Sequence, residues 1–240
     1  MSLNKRTPSQ IPAGFTAVAI QDLLDRYGML LAEVDQWFAS CQQMYPDLIV
    51  CGNGCSSCCR GLFDITLLDA FYLKSGLNLL APEEQSAIKE KSLSRLNLIK
   101  SDHPGFYAPW LLNPLPEEEW EEIMPEDDET PCVLLSSQGQ CLAYRYRPMT
   151  CRLNGIPLID TSGEELFDDW CTMNFHHTNP AQFEELRHPF NELFAQELLL
   201  FRELTLRLYG TRISEIDTII PAAILLDKPE HFNRNWELPS

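Results

Sequence analysis

Four cysteines fall close together in the first quarter of the chain, at Cys51, Cys55, Cys58 and Cys59. Two thiolates separated by two or three residues can bind one metal ion, because the intervening turn brings both sulfurs to roughly 2.3 Å from it. Side chains of adjacent residues usually diverge, so Cys58 and Cys59 are expected to face different metal atoms. The spacing therefore predicts a thiolate site that holds more than one metal atom.

A second group of cysteines supplies four further candidate ligands, Cys132, Cys141, Cys151 and Cys171. Residues 60–131 contain no cysteine, and thiols grouped in this way are typical of two halves of one binding site. Eight sulfurs would complete two four-coordinate sites, or one iron–sulfur cluster with a separate zinc. The spacing leaves open which cysteines share a metal atom, and thiolates suit both zinc and iron.

Arginines accompany these cysteines in an acidic chain, whose net charge of −17 comes from 35 acidic and 18 basic residues. Arg60, Arg145, Arg147 and Arg152 lie next to or between the candidate ligands. Four thiolates around Zn²⁺ leave a net charge of about −2, and burial of that charge requires hydrogen-bond donors and counter-charge. We therefore predict that the four arginines serve the metal or cofactor site. The alternative is ordinary surface pairing with acidic residues.

Charge and hydropathy also limit the environment in which the protein is expected to act. No apolar run approaches the roughly 18 residues of a membrane span, and the N-terminus lacks the apolar core of a secretory signal. We expect a cytoplasmic protein with no membrane association, in which cysteine patterns indicate metal rather than disulfides. The acidic charge argues against nucleic-acid binding. A protein partner is the expected kind of interaction.

The elements that must position the cysteines are predicted to be mainly α-helical with a small β-hairpin. We expect one domain over residues 1–240, in which irregular cysteine-rich loops pack on a helical core. The apolar periodicity of residues 16–45 predicts an N-terminal helix, with Cys41 on its buried stripe. The cysteine region then spans 51–171, and a helical region spans 180–226.

Shorter patterns refine this outline. Further helices are predicted from Asp64 to about Gly76, from Pro82 to about Lys100, from Pro189 to Tyr209 and over residues 213–226. Two short apolar runs, 132–135 and 141–144, predict a hairpin with one cysteine on each strand. The downstream segment with Pro148, Cys151 and Gly155 is predicted to be a loop. Residues 117–129 hold nine acids and no base, which indicates a solvated loop.

Three motifs follow one another as Cys51-x3-Cys55-x2-Cys58-Cys59, Pro131-Cys132-x2-Leu135 and Cys141-x2-Tyr144-x2-Arg147-Pro148-x2-Cys151-Arg152. In this ordered combination the chain resembles the YkgJ-type cysteine-cluster family, the CxxCxxCC domain, which is described as zinc- or iron-chelating. The first gap here is three residues rather than the two of the family's name. The resemblance covers residues 51–171.

The resemblance implies that seven of the cysteines bind metal, with Cys171 as a trailing ligand. The expected cofactor is Zn²⁺, and the alternative is a [4Fe-4S] cluster or another iron–sulfur centre. A related branch resembles flagellin lysine-N-methylases. That branch implies a second function, an iron–sulfur enzyme that acts as a protein methyltransferase or an oxidoreductase. The seven implied ligands are Cys51, Cys55, Cys58, Cys59, Cys132, Cys141 and Cys151.

Overall fold

The computed structural model describes residues 20–52 and 54–226. Within them lie seven α-helices and two antiparallel sheets of two strands each. The helices are α1 Gln21–Met44, α2 Leu67–Leu77, α3 Pro82–Asp102, α4 Glu117–Ile123, α5 Met149–Leu153, α6 Phe190–Tyr209 and α7 Ile220–Ile224. The strands are β1 Asp64–Thr66, β2 Leu158–Ile159, β3 Glu165–Phe167 and β4 Asp217–Ile219. The predicted class, mainly α with a small β-hairpin, is confirmed.

The long helices form where the apolar periodicity is strong. The buried stripe of α1 runs from Leu23 to Cys41, and Cys41 is a fully buried core thiol. Trp37 of α1 meets Phe190 of α6 edge to face, with ring centroids 4.9 Å apart. Helix α6 starts after Pro189 and ends at Gly210, which adopts a left-handed conformation with φ 71°. Residues 16–19 of the predicted N-terminal helix lie outside the described residues. No described helix is long and apolar enough to cross a membrane.

Helix α3 has one buried face and one face turned away from the core. Its buried residues are Ile88, Ser92, Leu96 and Ile99. They pack toward the C-terminal helix α7 and a smaller core that contains Ile123 and Ala222. The face of α3 beside this buried stripe lines a surface cleft.

Three of the predicted elements are wrong in their boundaries or in their type. Asp64 does not cap a helix, because residues 64–66 pair with 217–219 as strands β1 and β4, and Thr66 caps α2 through the amide of Asp69 at 3.1 Å. The same pairing turns part of the predicted helix over 213–226 into a strand. The segment around Cys151 is the short helix α5, which follows Pro148, and not a loop.

The hairpin predicted over residues 132–144 is reduced to a single bridge between Leu135 and Cys141. The amide of Ser136 donates to the carbonyl of Gln140 at 2.9 Å, so the chain does reverse there. Cys132 lies in a turn that Leu135 closes, and it is not on a strand. The hairpin of the fold is instead β2–β3, which follows α5.

The acidic run 117–129 is not wholly a loop, because residues 117–123 form α4. Pro116 precedes the helix, and three glutamates occupy its first turn, where negative charge is favourable. Trp120 donates its indole N–H to the carbonyl of Leu112 at 2.9 Å, and Ile123 is buried. These two anchors fix an otherwise solvated segment against the core.

Candidate metal centre

Seven of the nine cysteines line one open cleft of about 1180 Å³. The cleft brings the N-terminal group together with three cysteines of the second group. Cys41 lies in the core, and Cys171 is not part of the lining. All nine cysteines are free thiols. The lining cysteines are Cys51, Cys55, Cys58, Cys59, Cys132, Cys141 and Cys151.

Backbone hydrogen bonds join the two halves of the cleft. The amide of Cys132 donates to the carbonyl of Cys59 at 2.9 Å, and the amide of Gly61 donates to the carbonyl of Thr130 at 2.9 Å. Arg60 and Pro131 form an antiparallel bridge between these contacts. The loop after Cys55 therefore runs beside the segment that carries Cys132, although a cysteine-free stretch of the sequence separates them.

Cys58 and Cys59 are an exception to the expected divergence of adjacent side chains. Hydrogen bonding to Cys59 raises the pKa of the Cys58 thiol, and burial raises it further. The two thiols therefore approach each other in this structure, and the expectation that they face different metal atoms stays a prediction. A vicinal pair of this kind can present both sulfurs to the same part of the cleft.

Burial shifts the protonation of the lining thiols in one direction. It raises the pKa of Cys51 to about 11 and that of Cys132 to about 11. It raises the pKa of Cys151 well above its ordinary value, and nearby thiols add to the effect. These thiols hold their protons at neutral pH in the absence of a cation. A metal ion that binds them must therefore displace protons.

The side chains do not form a preformed cage. Among residues 20–52 and 54–226, no three His, Cys, Asp or Glu side chains are arranged to hold an ion together. The donor set itself is the kind that zinc and iron prefer, because thiolates are soft ligands. His176 and His177 are exposed and lie outside the cleft, so the described lining offers sulfur without imidazole.

Residues 50–172 match the model of a protein family named CxxCxxCC, which is described as a "putative zinc- or iron-chelating domain". The match covers just over half of the chain. The chain belongs to the CxxCxxCC family. It matches no curated protein and no solved structure.

Asn174 fixes one cysteine of the CxxCxxCC domain from just outside the matched residues. Its side chain is buried, and its Nδ2 donates to Cys51 Sγ at 3.1 Å and to the carbonyl of Gly155 at 2.6 Å. Its Oδ1 accepts the amide of Val50 at 3.0 Å. The side-chain amide of Asn174 therefore joins the segment that precedes Cys51 to the segment that follows α5.

Arg147 and Arg152 of the CxxCxxCC domain are held by Asp35 of α1. Arg147 Nη2 lies 2.9 Å from Asp35 Oδ1, and Arg152 Nη1 pairs with the other carboxylate oxygen. Arg152 is 3% exposed, and its remaining nitrogens donate to the carbonyls of Arg145 at 2.8 Å and Arg147 at 3.1 Å. Its guanidinium hydrogen bonds are thus made within the protein, and they fix helix α5, which carries Cys151.

The other two predicted arginines differ from this pair. Arg60 lines the cleft and pairs with Glu129 at 3.2 Å. Arg145 is exposed and is not part of the lining. Three of the four predicted arginines therefore lie at the cleft, and at least one of them is committed to the fold.

Sequence reasoning missed Asp35, Asn174 and the cleft face of α3. Asp35 and Asn174 lie far from their partners in sequence, and neither has a local pattern that indicates a ligand shell. The face of α3 could have been found from its spacing, because a stripe with Lys91 and Arg95 alternates with a buried stripe on the same helix.

Proposed function

We propose that the protein binds zinc at a bipartite thiolate centre formed by the loop 51–59 and the segment 132–151. The observation that carries the proposal is the arrangement of seven thiols from these two regions around one cleft. Backbone hydrogen bonds hold the regions side by side, so the proposed ligands of both regions lie along the same cleft. Zinc bound by thiolates stabilises a fold directly, because the unfolded chain lacks the site.

The ligands proposed for this centre are the seven lining cysteines, and Arg147 supplies counter-charge. Cys171 is a further ligand of the proposal, since its charge affects the Cys51 thiol although it does not line the cleft. Removing the protons from several raised-pKa thiols requires the concentrated charge of a metal ion. The donor chemistry therefore fits a metal, and all nine cysteines are free to take part rather than paired as disulfides.

An iron–sulfur centre with catalytic activity is the second candidate. The observation that favours it is the size and openness of the cleft, which leaves room beside the thiols for a substrate. An iron–sulfur cluster held by cysteines could serve electron transfer, and a methyl-transfer enzyme is the other form of this candidate. In both cases the cleft face opposite the thiols would contact the substrate.

Metal analysis of anaerobically purified protein, together with its absorption spectrum, tests the two candidates. Colourless protein with about two zinc ions per chain is the expected result. Brown protein with a broad band near roughly 400 nm would replace zinc with the iron–sulfur candidate. Mass-spectrometric detection of paired cysteines without metal would contradict both.

Two substitutions connect the metal with the two halves of the site. Cys58→Ser and Cys132→Ser each remove one thiol from a different half, and each is expected to lower bound metal to less than about half. The matched control is Cys41→Ala, which removes a thiol from the core without touching the cleft. Equal metal content in all four proteins would contradict a bipartite centre.

The proposal assigns the protein to the cytoplasm, because free thiols persist in a reducing compartment. We also propose that it binds a protein partner. A structural zinc only stabilises the fold, so the protein would act through contacts made by another part of its surface. Recovery of the protein with its thiols oxidised from a gently lysed cell would contradict the assignment to the cytoplasm.

A further inference from the structure

One wall of the cleft is a helix face that carries no cysteine. Residues of α3 spaced three and four apart line the cleft, on the face that lies beside the helix's buried stripe. Their spacing is that of a single helical face. The face consists of Ala87, Glu90, Lys91, Ser94, Arg95 and Leu98.

The cleft is basic in an acidic protein. Its described lining contains five of the chain's 18 basic residues, and Glu90 is the single one of the 35 acidic residues found there. Charged residues drawn at random from this chain would include about two acidic residues for every basic one. The described lining therefore has an excess of positive charge, whereas the rest of the protein has a large excess of negative charge, and such a patch attracts anions.

Most of these cations already have a carboxylate partner. Arg95 pairs with Asp128, Arg60 pairs with Glu129, and Arg147 and Arg152 share Asp35. Their positive charge is therefore partly neutralised before any ligand arrives.

Lys91 differs from the arginines. Its Nζ donates to the carbonyl of Leu135 at 2.9 Å, and it has no carboxylate partner within the described residues. An ammonium group has three N–H donors, so two remain available. Its side chain is exposed, and Ser94 lies one turn further along the same face. Lys91 and Ser94 together can hold a carboxylate, sulfonate or phosphate oxygen.

The volume of the cleft exceeds what a metal centre needs. The cleft of about 1180 Å³ is larger than the roughly 300–1,000 Å³ of typical small-molecule sites. The lining of the cleft is largely apolar, with Leu62, Val133 and Pro221 among the contributors. An apolar wall with one available cation fits a ligand that has an apolar body and one acidic group.

We propose that the cleft binds an organic anion, with its acidic group on Lys91 and Ser94 of α3 and its apolar body along the wall that includes Leu98 and Val133. The ligand would lie beside the proposed metal centre, so this inference deepens the proposed function and rests on it. It assigns α3 as the ligand-binding element and the cysteine segments as the metal-binding elements.

A competing role for Lys91 is to neutralise a thiolate. Burial raises the pKa of Cys132, and the charge of Lys91 lowers it, so the ammonium lies near that thiol. If this were its function, loss of the charge would change metal retention and leave anion binding intact. The two roles therefore predict opposite results from the same substitution.

A pair of fluorescent probes tests the inference in anaerobically purified, full-length protein. The anionic probe is 8-anilinonaphthalene-1-sulfonate, and the neutral probe of similar body is N-phenyl-1-naphthylamine. We expect the anionic probe to bind at one saturable site. Lys91→Gln is expected to weaken its affinity about fivefold, the effect of one partly shielded charge pair, and to leave the neutral probe unchanged.

Two further variants complete the experiment. Lys100→Gln makes the same charge change on the exposed end of α3, outside the cleft, and is expected to leave both affinities unchanged. Ser94→Asp places a negative charge on the proposed wall and is expected to weaken the anionic probe more than Lys91→Gln does. Circular dichroism of each variant checks that probe binding does not report unfolding.

The outcomes separate this inference from the proposed function. Equal anion affinity in Lys91→Gln and the unsubstituted protein would overturn the inference, as would equal affinity for the two probes. Loss of metal in Lys91→Gln with anion affinity unchanged would assign Lys91 to the thiolates instead, and would also overturn it. Metal content is measured on the same samples, so metal-free protein contradicts the proposed function while the probe titration still decides the anion site.

Discussion

Cys51 is held by contacts that leave no room for a larger neighbour. Gly155 approaches it with φ +116°, and a Cβ at this position would lie 3.1 Å from Cys51 Sγ and 3.4 Å from Asn174 Nδ2. A side chain is both sterically crowded and conformationally strained there, since residues other than glycine rarely adopt this φ. Glycine at this position therefore allows the thiol and the amide to meet.

Gly155→Ala is expected to displace the Cys51 thiol and to lower metal content. The strain should also cost about 1–3 kcal/mol of the free energy of unfolding. Metal analysis and urea denaturation measure the two effects. Gly52→Ala is the matched control, because its Cβ would meet no atom within 4 Å and its φ is not positive. Metal loss of similar size in both variants would contradict a specific contact at Gly155.

Asn174→Ala removes three hydrogen bonds at once. It leaves the buried carbonyl of Gly155 and the partly buried amide of Val50 without their partner, which should cost about 1–3 kcal/mol. Bound metal should fall as well, because Cys51 loses its donor. Denaturant unfolding with metal analysis measures both, and Asn97→Ala on the exposed side of α3 is the control. An unchanged midpoint and unchanged metal content in Asn174→Ala would show that the amide does not position the thiol.

Among the elements, α1 positions helix α5, which carries Cys151. Asp35 projects from α1 and accepts from Arg147, which precedes α5, and from Arg152 within α5. Arg152 is buried, and its charge is acceptable there because Asp35 and two carbonyls surround it. A helix outside the CxxCxxCC region thus supports the second half of the cleft.

Asp35→Asn is expected to destabilise the protein by about 1–2 kcal/mol, a value reduced because the Asp35 side chain is 42% exposed. The buried guanidinium of Arg152 would lose its counter-charge. Helix α5 would then hold Cys151 less firmly, so the protein should retain less metal. Thermal unfolding and metal analysis measure these effects. Glu33→Gln, on the exposed surface of the same helix, is the control and should change neither. If Asp35→Asn were as stable as the unsubstituted protein, Asp35 would not be the residue that holds α5 in place.

The helices that periodicity predicts are those with long, uninterrupted apolar stripes. Helices α1 and α6 follow from the spacing of residues such as Leu31 and Leu204, whereas α3 follows from Pro82 and the glutamates at its start. Strands β1 and β4 were not predicted, because each has three residues and their pairing joins segments about 150 residues apart. Nothing in a local window reports such a contact.

The candidate site shows the same division between local and distant information. The cysteine motifs are local, so the sequence alone groups the thiols that line the cleft. Their supports are distant in sequence: Asp35 lies before the motif region and Asn174 after it. The proximity of Cys58 and Cys59 was also missed, because it depends on the conformation of the loop rather than on residue type.

In the molecule as a whole, three helices meet at a buried acidic cluster. Tyr27 of α1 donates to Asp69 of α2 at 2.7 Å and lies 3.1 Å from Glu197 of α6. Burial raises the pKa of Glu197 to about 8, and the charge of Asp69 adds to this rise. Burial also raises the pKa of Asp69 to about 6. Glu197 therefore keeps its proton at neutral pH, and the tyrosine hydroxyl lies between the two carboxyl groups.

The raised pKa of Glu197 makes stability depend on pH with a defined sign. The unfolded chain releases this proton near the ordinary value of 4.5, whereas the folded protein releases it near 8. Between these values the folded state binds more protons than the unfolded state, so the free energy of unfolding falls as pH rises. Glu197→Gln removes this dependence and should stabilise the protein by at most about 4 kcal/mol at pH 8, with little effect at pH 4.

Glu203→Gln, on the same helix, is the control of opposite sign. Hydrogen bonds from Arg26 and Arg207 lower the pKa of Glu203, so its charge stabilises the folded protein above the ordinary value of 4.5. That variant should lose stability at pH 8 and approach the unsubstituted protein as pH falls. Denaturant unfolding at pH 4 and pH 8 measures both variants. A Glu197→Gln protein that is destabilised at pH 8 would show that an ionised Glu197 joins the three helices, and that the cluster holds one proton fewer than inferred.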